Sequence, residues 1–232
     1  MAVGLQGSGR ILAEHWNGHI WSVLPARRQG ALVGVSCRTH GDCAAVGFTL
    51  LGKGLAEHWN GHTWSAQPTA NPKPFTQLLG VSCRRPGCVA VGTGSGAGPA
   101  GSSSSLTGVP LAERWTGTKW AAVPVPDPLP AGSFAELTSV SCPSASDCVA
   151  VGDDQNAAGT TDGTLAAHWD GTAWTVVPSP SPAKFSGLTS VSCPSVRRCV
   201  AVGGASRSAT GTVSPLVEAW NGTAWTVQSA PR

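Results

Sequence analysis

"LVGVSCRTHGDCAAVGFTLLGKGLAEHWNGHTWSAQP" (residues 32–68) carries two cysteines six apart, two tryptophans five apart, and an Asn-Gly between the tryptophans. Small or apolar residues alternate through it at period two, and Gly punctuates the alternation, which is the pattern of short strands joined by turns. It divides into four strands. The first ends on Val-Ser-Cys, the second runs from Cys to Val-Gly, the third ends at Trp59 and the fourth begins at Trp64.

The unit repeats. The tryptophan block "AEHWNGHTW" (56–64) recurs as "AEHWNGHIW" (13–21), "AERWTGTKW" (112–120), "AAHWDGTAW" (166–174) and "VEAWNGTAW" (217–225), which uses all ten tryptophans: Trp16, Trp21, Trp59, Trp64, Trp115, Trp120, Trp169, Trp174, Trp220 and Trp225. The cysteine block recurs as "LLGVSCRRPGCVAVG" (78–92), "LTSVSCPSASDCVAVG" (137–152) and "LTSVSCPSVRRCVAVG" (188–203). Successive tryptophan blocks lie 43 to 56 residues apart. Four strands at that period mark a β-propeller blade. The expected fold is therefore all-β: one propeller domain of about five four-stranded blades, over residues 1–25, 31–68, 75–124, 134–178 and 185–228.

"MAVG" (1–4) matches the "VAVG" that follows the second cysteine of other units, so the first blade is expected to lack its first strand. On this reading the chain is the later part of a longer one, whose upstream part held that strand, its cysteines and a secretion signal. The alternative is a propeller that tolerates an incomplete first blade.

Asn-Gly or Asp-Gly between the tryptophans predicts a two-residue type I′ turn. Such a turn makes the two indoles diagonal neighbours on the face that also carries Glu57. Blades bury both faces, so the indole pairs are expected to fill the gaps between blades, with Glu14, Glu57, Glu113 or Glu218 accepting indole N–H groups. The other reading is a ring of solvent-facing tryptophan pairs that stack on sugars. Phe75, Phe134 and Phe185 each stand eight residues before the first cysteine of a unit, at the entrance to its first strand.

Eight cysteines form four local pairs: Cys37/Cys43, Cys83/Cys88, Cys142/Cys148 and Cys193/Cys199. Each pair brackets one turn, where facing strand residues lie at disulfide distance. Four disulfides imply an oxidising compartment, hence a secreted or cell-surface protein. Zinc would need two close pairs meeting at one point, whereas these are spread one per blade, and no metal site is expected. Free buried thiols are the remaining alternative.

Only 12% of the 232 residues are charged, and the net charge is +3. Arginines are scattered singly or in pairs (Arg27-Arg28, Arg84-Arg85, Arg197-Arg198), with no basic stripe for nucleic acid. No apolar run reaches the roughly 18 residues of a membrane span. No Gly-x-Ser-x-Gly, Walker loop or His-Glu-x-x-His occurs, and no cofactor is expected. His19 and His62 read as exposed turn residues.

The connections from second to third strand and from fourth to first carry the variable segments, at residues 92–110, 124–136, 152–163 and 203–215. Variable loops on a rigid scaffold place binding at that end, although Gly- and Ser-rich loops also serve as slack spacers. The polar candidates there are Asp127, Glu136, Asp153, Asp154, Asn156 and Asp162. Their spacing departs from that of a calcium loop and reads more simply as solvated loop.

These repeats resemble a large, mostly uncharacterised group of secreted bacterial propeller-type proteins with "SVSCPS…CVAVG…LAEHWNGTAWTVV"-like blocks, across essentially the whole chain. "WDGTAWTVV" (169–177) is also distantly similar to the Asp-box of sialidase propellers, Ser-x-Asp-x-Gly-x-Thr-Trp, but its Asp and Gly are adjacent. The sialidase nucleophile is a tyrosine, and this chain has none. Together these readings predict a binding or adhesion propeller for glycans or wall polymers. The alternatives are a glycosidase or polysaccharide lyase using paired carboxylates from the same end, and a structural repeat without a ligand.

Overall fold

The computed structural model describes residues 1–25, 28–95 and 107–229. Nineteen strands and no helix occur among them. Blade one holds β1 (Ala2–Leu5), β2 (Ile11–Trp16) and β3 (Trp21–Val23). Blade two holds β4 (Ala31–Thr39), β5 (Asp42–Phe48), β6 (Gly54–Trp59) and β7 (Trp64–Gln67). Blade three holds β8 (Phe75–Arg84), β9 (Gly87–Ser95), β10 (Val109–Trp115) and β11 (Trp120–Val123). Blade four holds β12 (Phe134–Ser144), β13 (Asp147–Gln155), β14 (Asp162–Trp169) and β15 (Trp174–Val176). Blade five holds β16 (Phe185–Ser195), β17 (Arg198–Ser206), β18 (Ser214–Trp220) and β19 (Trp225–Val227).

Within each blade the strands run as an antiparallel meander, and the first sheet has three strands. A parallel bridge, Asp162 to Phe185, joins blades four and five. Gly108 and Phe134 make the same bridge between blades three and four. The phenylalanine that opens each of these first strands therefore latches it to the third strand of the preceding blade. Gln29, at the corresponding place in blade two, bridges Arg10 instead.

The core is four clusters, one in each gap between blades. Period two in the second strand supplies them: Cys148 and Ala150 pack with blade three's Val89 and Val91, while Val149 and Val151 pack against Leu188, Val191 and Trp225 of blade five. Burying one such valine is worth about 1.5–3 kcal/mol. Blade five has no neighbour on its outer side among the described residues, and there Val200 and Val202 are 48% and 42% exposed.

The glycine closing each Val-Gly has a steric cause. A Cβ on Gly47, Gly92, Gly152 or Gly203 would overlap the backbone carbonyl of Ala31, Gln77, Glu136 or Gly187 respectively. Opposite these glycines each first strand carries a bulge, between Leu32 and Gly34, Leu78 and Gly80, Leu137 and Ser139, and Leu188 and Ser190. Such a bulge sharpens the bend and twist of the strand.

First strands line up side by side around the axis, and a serine fastens each to the next. Ser36 Oγ accepts the Cys83 N–H at 3.0 Å, Ser82 Oγ that of Cys142 at 3.0 Å, and Ser141 Oγ that of Cys193 at 3.0 Å. This is the role of the Ser in Val-Ser-Cys.

All four cysteine pairs are disulfide-bonded as the spacing predicts: Cys37 to Cys43, Cys83 to Cys88, Cys142 to Cys148 and Cys193 to Cys199. No free thiol remains among the described residues, which removes that alternative. The Cα atoms are 3.9 to 4.1 Å apart, closer than ordinary facing residues. Cys43, Cys88, Cys148 and Cys199, near the starts of the second strands, are buried, as are Cys83, Cys142 and Cys193 on the first strands, whereas Cys37 in blade two is exposed. Each bond thus pins its own first strand to the strand that fills the gap.

The hairpin between the tryptophans differs from the expected two-residue turn. Trp59 pairs directly with Trp64, and Glu57 with Ala66, so the loop has four residues, 60–63. Only its glycine is left-handed, with φ from +95° to +101° in all five copies. Asn60 instead folds its side chain inward, accepting the N–H groups of His62 and Thr63. Asn17, Asp170 and Asn221 do the same. Convergence of several donors on one Asx oxygen offsets the extra loop length, and it spares a non-glycine residue the left-handed conformation that a primed turn demands. The indoles are thus directly opposed and tilted, ring centroids 5.6 to 5.8 Å apart, rather than diagonal neighbours.

The pairs do fill the gaps between blades, with one exception. Trp59, Trp120, Trp169, Trp174, Trp220 and Trp225 are buried and Trp64 and Trp115 half-buried, whereas Trp16 and Trp21 are 42% and 52% exposed. Each pair faces the blade before it, and no blade precedes the first among the described residues. The residue before the first tryptophan faces the other way: His15 lies 6.4 Å from Trp59, Arg114 6.0 Å from Trp169, and His168 6.4 Å from Trp220.

The glutamates do not accept indole N–H groups. Glu113 accepts the backbone N–H groups of Ala70 and Asn71, and Glu218 the hydroxyl of Ser179, each tying down the segment that leads out of the preceding blade. Trp120 donates to Gln67, while the indole N–H groups of Trp59, Trp169, Trp220 and Trp225 meet no acceptor among the described residues.

Candidate functional site

The turns closing first to second and third to fourth strands share one end of the molecule, where the disulfides also lie. The other connections share the opposite end, where the sequence places binding. Cys43, Cys88, Cys148 and Cys199 therefore stand away from the candidate site, as do their partners. Two of the variable segments at the binding end are shorter loops than their sequence suggests. β13 and β14 pair out to Gln155 and Asp162, and β17 and β18 to Ala205 and Ser214, which leaves residues 156–161 and 207–213 as the connections. Of the segment 92–110, residues 96–106 lie outside the described residues.

Pairing out to Asp162 decides where the candidate carboxylates point. Glu136 is the cross-strand partner of Asp153, and Gln155 that of Asp162. Directly opposed residues share a face, and residues two apart on a strand also do. Glu136, Asp153, Gln155 and Asp162 therefore stand on the face of blade four that looks toward blade five. Asp153 lies over the backbone of Gly187 there. Asp154 points to the opposite face; burial raises its carboxyl, against the opposing Gly163 N–H, and the charges of Asp162 and Asp127 add to the rise. Asp127 is exposed and accepts the N–H of Leu129. Asn156 is spent on its own loop, accepting from the N–H groups of Thr160 and Thr161 and donating to the Thr160 hydroxyl. The six candidates thus divide into three carboxylates on one face of blade four, Asp154 on the other, Asp127 in the segment between β11 and β12, and one loop-ordering amide.

A cleft of about 470 Å³ lies on this side, between blades four and five; Glu136 stands beside Asp153 but does not line it. Asp153 and Asp162 line it, with Gln155, the ring of Phe185, and the hydroxyls of Ser186, Thr189, Ser206 and Ser208. Gln155 Nε2 donates to Asp162 Oδ1 at 2.8 Å and fixes that carboxylate. Burial, then the charges of Glu136, Asp162 and Asp154, push the Asp153 carboxyl up to about 7. Burial also raises Glu136. Close to neutral pH, Asp153 therefore interconverts between an acceptor and an O–H donor. Ser186, Thr189 and Ser206 already donate their hydroxyls to the Ala183, Val202 and Ser208 carbonyls. The cleft therefore offers the Phe185 ring beside oxygens that accept, with Ser208, the second Gln155 N–H and a protonated Asp153 left to donate.

A second cleft, of about 520 Å³, lies between blades one and two. Trp59, Trp64, Glu57, Arg28, Ile11 and Leu32 line it. Arg28 approaches Glu57 at 3.7 Å, and burial raises the Glu57 carboxyl despite that guanidinium. The corresponding carboxylates of blades three and five are held by the preceding segment instead. His62 lies on the rim of this cleft, and His19 is exposed in its turn. Among the described residues no group of three or more His, Cys, Asp and Glu is placed to hold a metal ion.

The sequence singles out Asp153, Asp162 and Glu136 but not Gln155, Ser186 or Ser206, and it presents Phe185 only as a packing residue. The signal for the rest is strand pairing beyond Gly152 and Gly203, which continued alternation in "GDDQ" and "GGAS" carries only faintly.

The fold defines a β-propeller, and comparison with known proteins agrees. No protein-family profile matches the chain, and no curated protein matches it. Among solved structures it is similar to a six-bladed, fucose-recognising lectin from the fungus Aleuria aurantia: TM-score 0.58, 11% identity, covering 99% of this chain and 73% of the lectin. It is also similar to YCF48 bound to D1 peptide (TM-score 0.54, 13% identity, 92% of this chain) and to YCF48 from Cyanidioschyzon merolae (0.51, 10%, 97%). The chain spans 58% of the first YCF48 and 67% of the second. At such identities the likeness is one of fold. No helix among the described residues is long and apolar enough to cross a membrane.

Proposed function

We propose that the protein is a secreted or cell-surface propeller that binds glycans in the cleft between blades four and five. The observation that carries this reading is the cleft's composition: one aromatic ring, Phe185, beside two carboxylates, an amide and four hydroxyls, in about 470 Å³. A pyranose has an apolar face and a rim of hydroxyls, and it is held by an aromatic surface flanked by fixed polar groups of both kinds. The lectin with a similar fold recognises fucose, which makes fucosides the first ligands to try. Four disulfides support an oxidising setting.

A glycan array followed by calorimetric titration tests the proposal. The expected outcome is saturable binding of at least one glycan class, weakened tenfold or more by Phe185→Ala or Gln155→Ala. Silence across the array from protein whose four disulfides and far-ultraviolet spectrum are intact overturns it.

Glu136 opposite Asp153 favours a second reading, glycoside cleavage. A carboxyl raised to about 7 beside another carboxylate suits a proton donor paired with an ionised group. Turnover of a fluorogenic glycoside that Asp153→Asn abolishes while binding persists would establish it over binding alone.

A further inference from the structure

At the end opposite the glycan cleft, the first strands and their turns converge on a cavity of about 690 Å³ at the propeller axis. Blades two to five all contribute, through Cys37, Cys83, Cys142 and Cys193 and their neighbours. Arg38, Arg84 and Arg85 line it. Arg38 and Arg84 are 46 residues apart in the chain, and the fold brings them together because Arg follows the first cysteine in both blades two and three.

Three serine hydroxyls line the same cavity: Ser36, Ser82 and Ser141. Each oxygen accepts a cysteine N–H from the next blade, and none of the three donates its own proton to an acceptor among the described residues. A hydroxyl that accepts still has one proton to give. Arg84 donates Nε to the Cys142 carbonyl at 3.3 Å, leaving its terminal N–H groups uncommitted. Arg85 is exposed and has no carboxylate partner among the described residues.

No Asp or Glu lines the cavity, and the acids nearby have partners of their own for at least one oxygen. Asp42 lies 2.9 Å from Arg38 and 3.1 Å from His58, and Asp147 is 3.4 Å from His168. Asp170 accepts from Thr172 and Ala173 within its own turn. The axial mouth is therefore rich in donors and poor in acceptors, the complement of a group with several oxygen lone pairs and negative charge.

We propose that this axial funnel binds a small multivalent oxyanion, held by the guanidinium groups of Arg84 and Arg85 and by the ring of serine hydroxyls. Phosphate esters and polycarboxylates share that chemistry. Two probes separate them, inorganic tripolyphosphate and citrate, titrated calorimetrically and by thermal shift at ionic strength matched with sodium chloride. Saturable binding of at least one is expected, and the tighter probe names the class.

Arg84→Ala with Arg85→Ala should weaken that binding tenfold or more. Arg10→Ser with Arg207→Ser removes the same charge from exposed sites elsewhere and should change it less than twofold. Should the loss of the Arg84 bond to Cys142 impair folding, Arg85→Ala alone is expected to weaken binding at least threefold. Equal loss in the two double variants, no saturable binding of either probe, or capture of duplex DNA alone would overturn the proposal.

Discussion

Asp153 is the residue whose environment departs furthest from that of its free side chain. Its carboxyl is raised from 3.8 to about 7, with burial first among the causes and the neighbouring carboxylates after it. Below the unfolded value the group is neutral in both states and costs nothing. As pH rises toward 7 the unfolded chain ionises freely while the folded one resists, so stability falls across that window. Glu57, Glu113, Glu136, Asp154 and Glu218 are raised as well and tilt the protein the same way. Asp153→Asn isolates the one contribution. Urea midpoints measured from pH 4.5 to 8.5 should show the variant gaining on the parent as pH rises, with most of the change between pH 5 and 7.5. Parallel curves would mean that Asp153 is not buried as described. In the sequence Asp153 is one acidic loop residue among several. Its perturbation is not legible there, because it depends on Gly187 of another blade passing close beneath it.

Each third strand is read by both of its neighbours. In "EHW" or "ERW" the Glu and Trp face the preceding blade and the intervening His or Arg faces the following one, so three adjacent letters specify two interfaces. That doubling is legible as period two, and so is the pairing of the tryptophans. The turn between them is not, because Asn-Gly suits both a two-residue primed turn and a four-residue loop capped by the Asn side chain. Hydrogen bonds to His62 and Thr63, not the dipeptide, select the latter. The same logic sets the cost of losing an indole. Trp174 is 3% exposed within its gap and Trp21 is 52% exposed. Replacing a buried Trp with Ala typically costs about 3–5 kcal/mol, mostly as lost contacts and a residual cavity. Trp174→Ala should therefore lower the urea midpoint steeply. Trp21→Ala should cost no more than about 1 kcal/mol, in the range of surface substitutions. Equal losses would show that the pairs act within hairpins and not between blades.

Across the whole molecule, stability is distributed as in a linear array, since each blade touches only the blades beside it and the four clusters of the core lie one to a gap. Repetition makes this arrangement readable from sequence: the five tryptophan blocks reappear as five blades, the cysteine pairs as four disulfides, and the shorter first unit as a three-stranded sheet. Convergence at the axis is not readable, because arginines that look scattered along the chain are collected only once the blades are arranged in sequence around a common centre. Blades three and four are covered on both sides. The outer face of blade five leaves Val200 and Val202 exposed, whereas the same positions in blade four, Val149 and Val151, are 1% and 0% exposed. Blade one has three strands and exposes both its indoles. Amide exchange follows local opening, and elements with few buried contacts open at the lowest cost. Hydrogen exchange resolved by peptide should therefore rank β1–β3 as fastest, β16–β19 as intermediate, and β8–β10 with β12–β14 as slowest. The gradient should persist when the disulfides are intact, because each of them closes a turn within one blade and ties no blade to another. Uniform protection from β1 to β19 would show instead that the blades unfold as one unit, with coupling between them stronger than the apolar gaps provide.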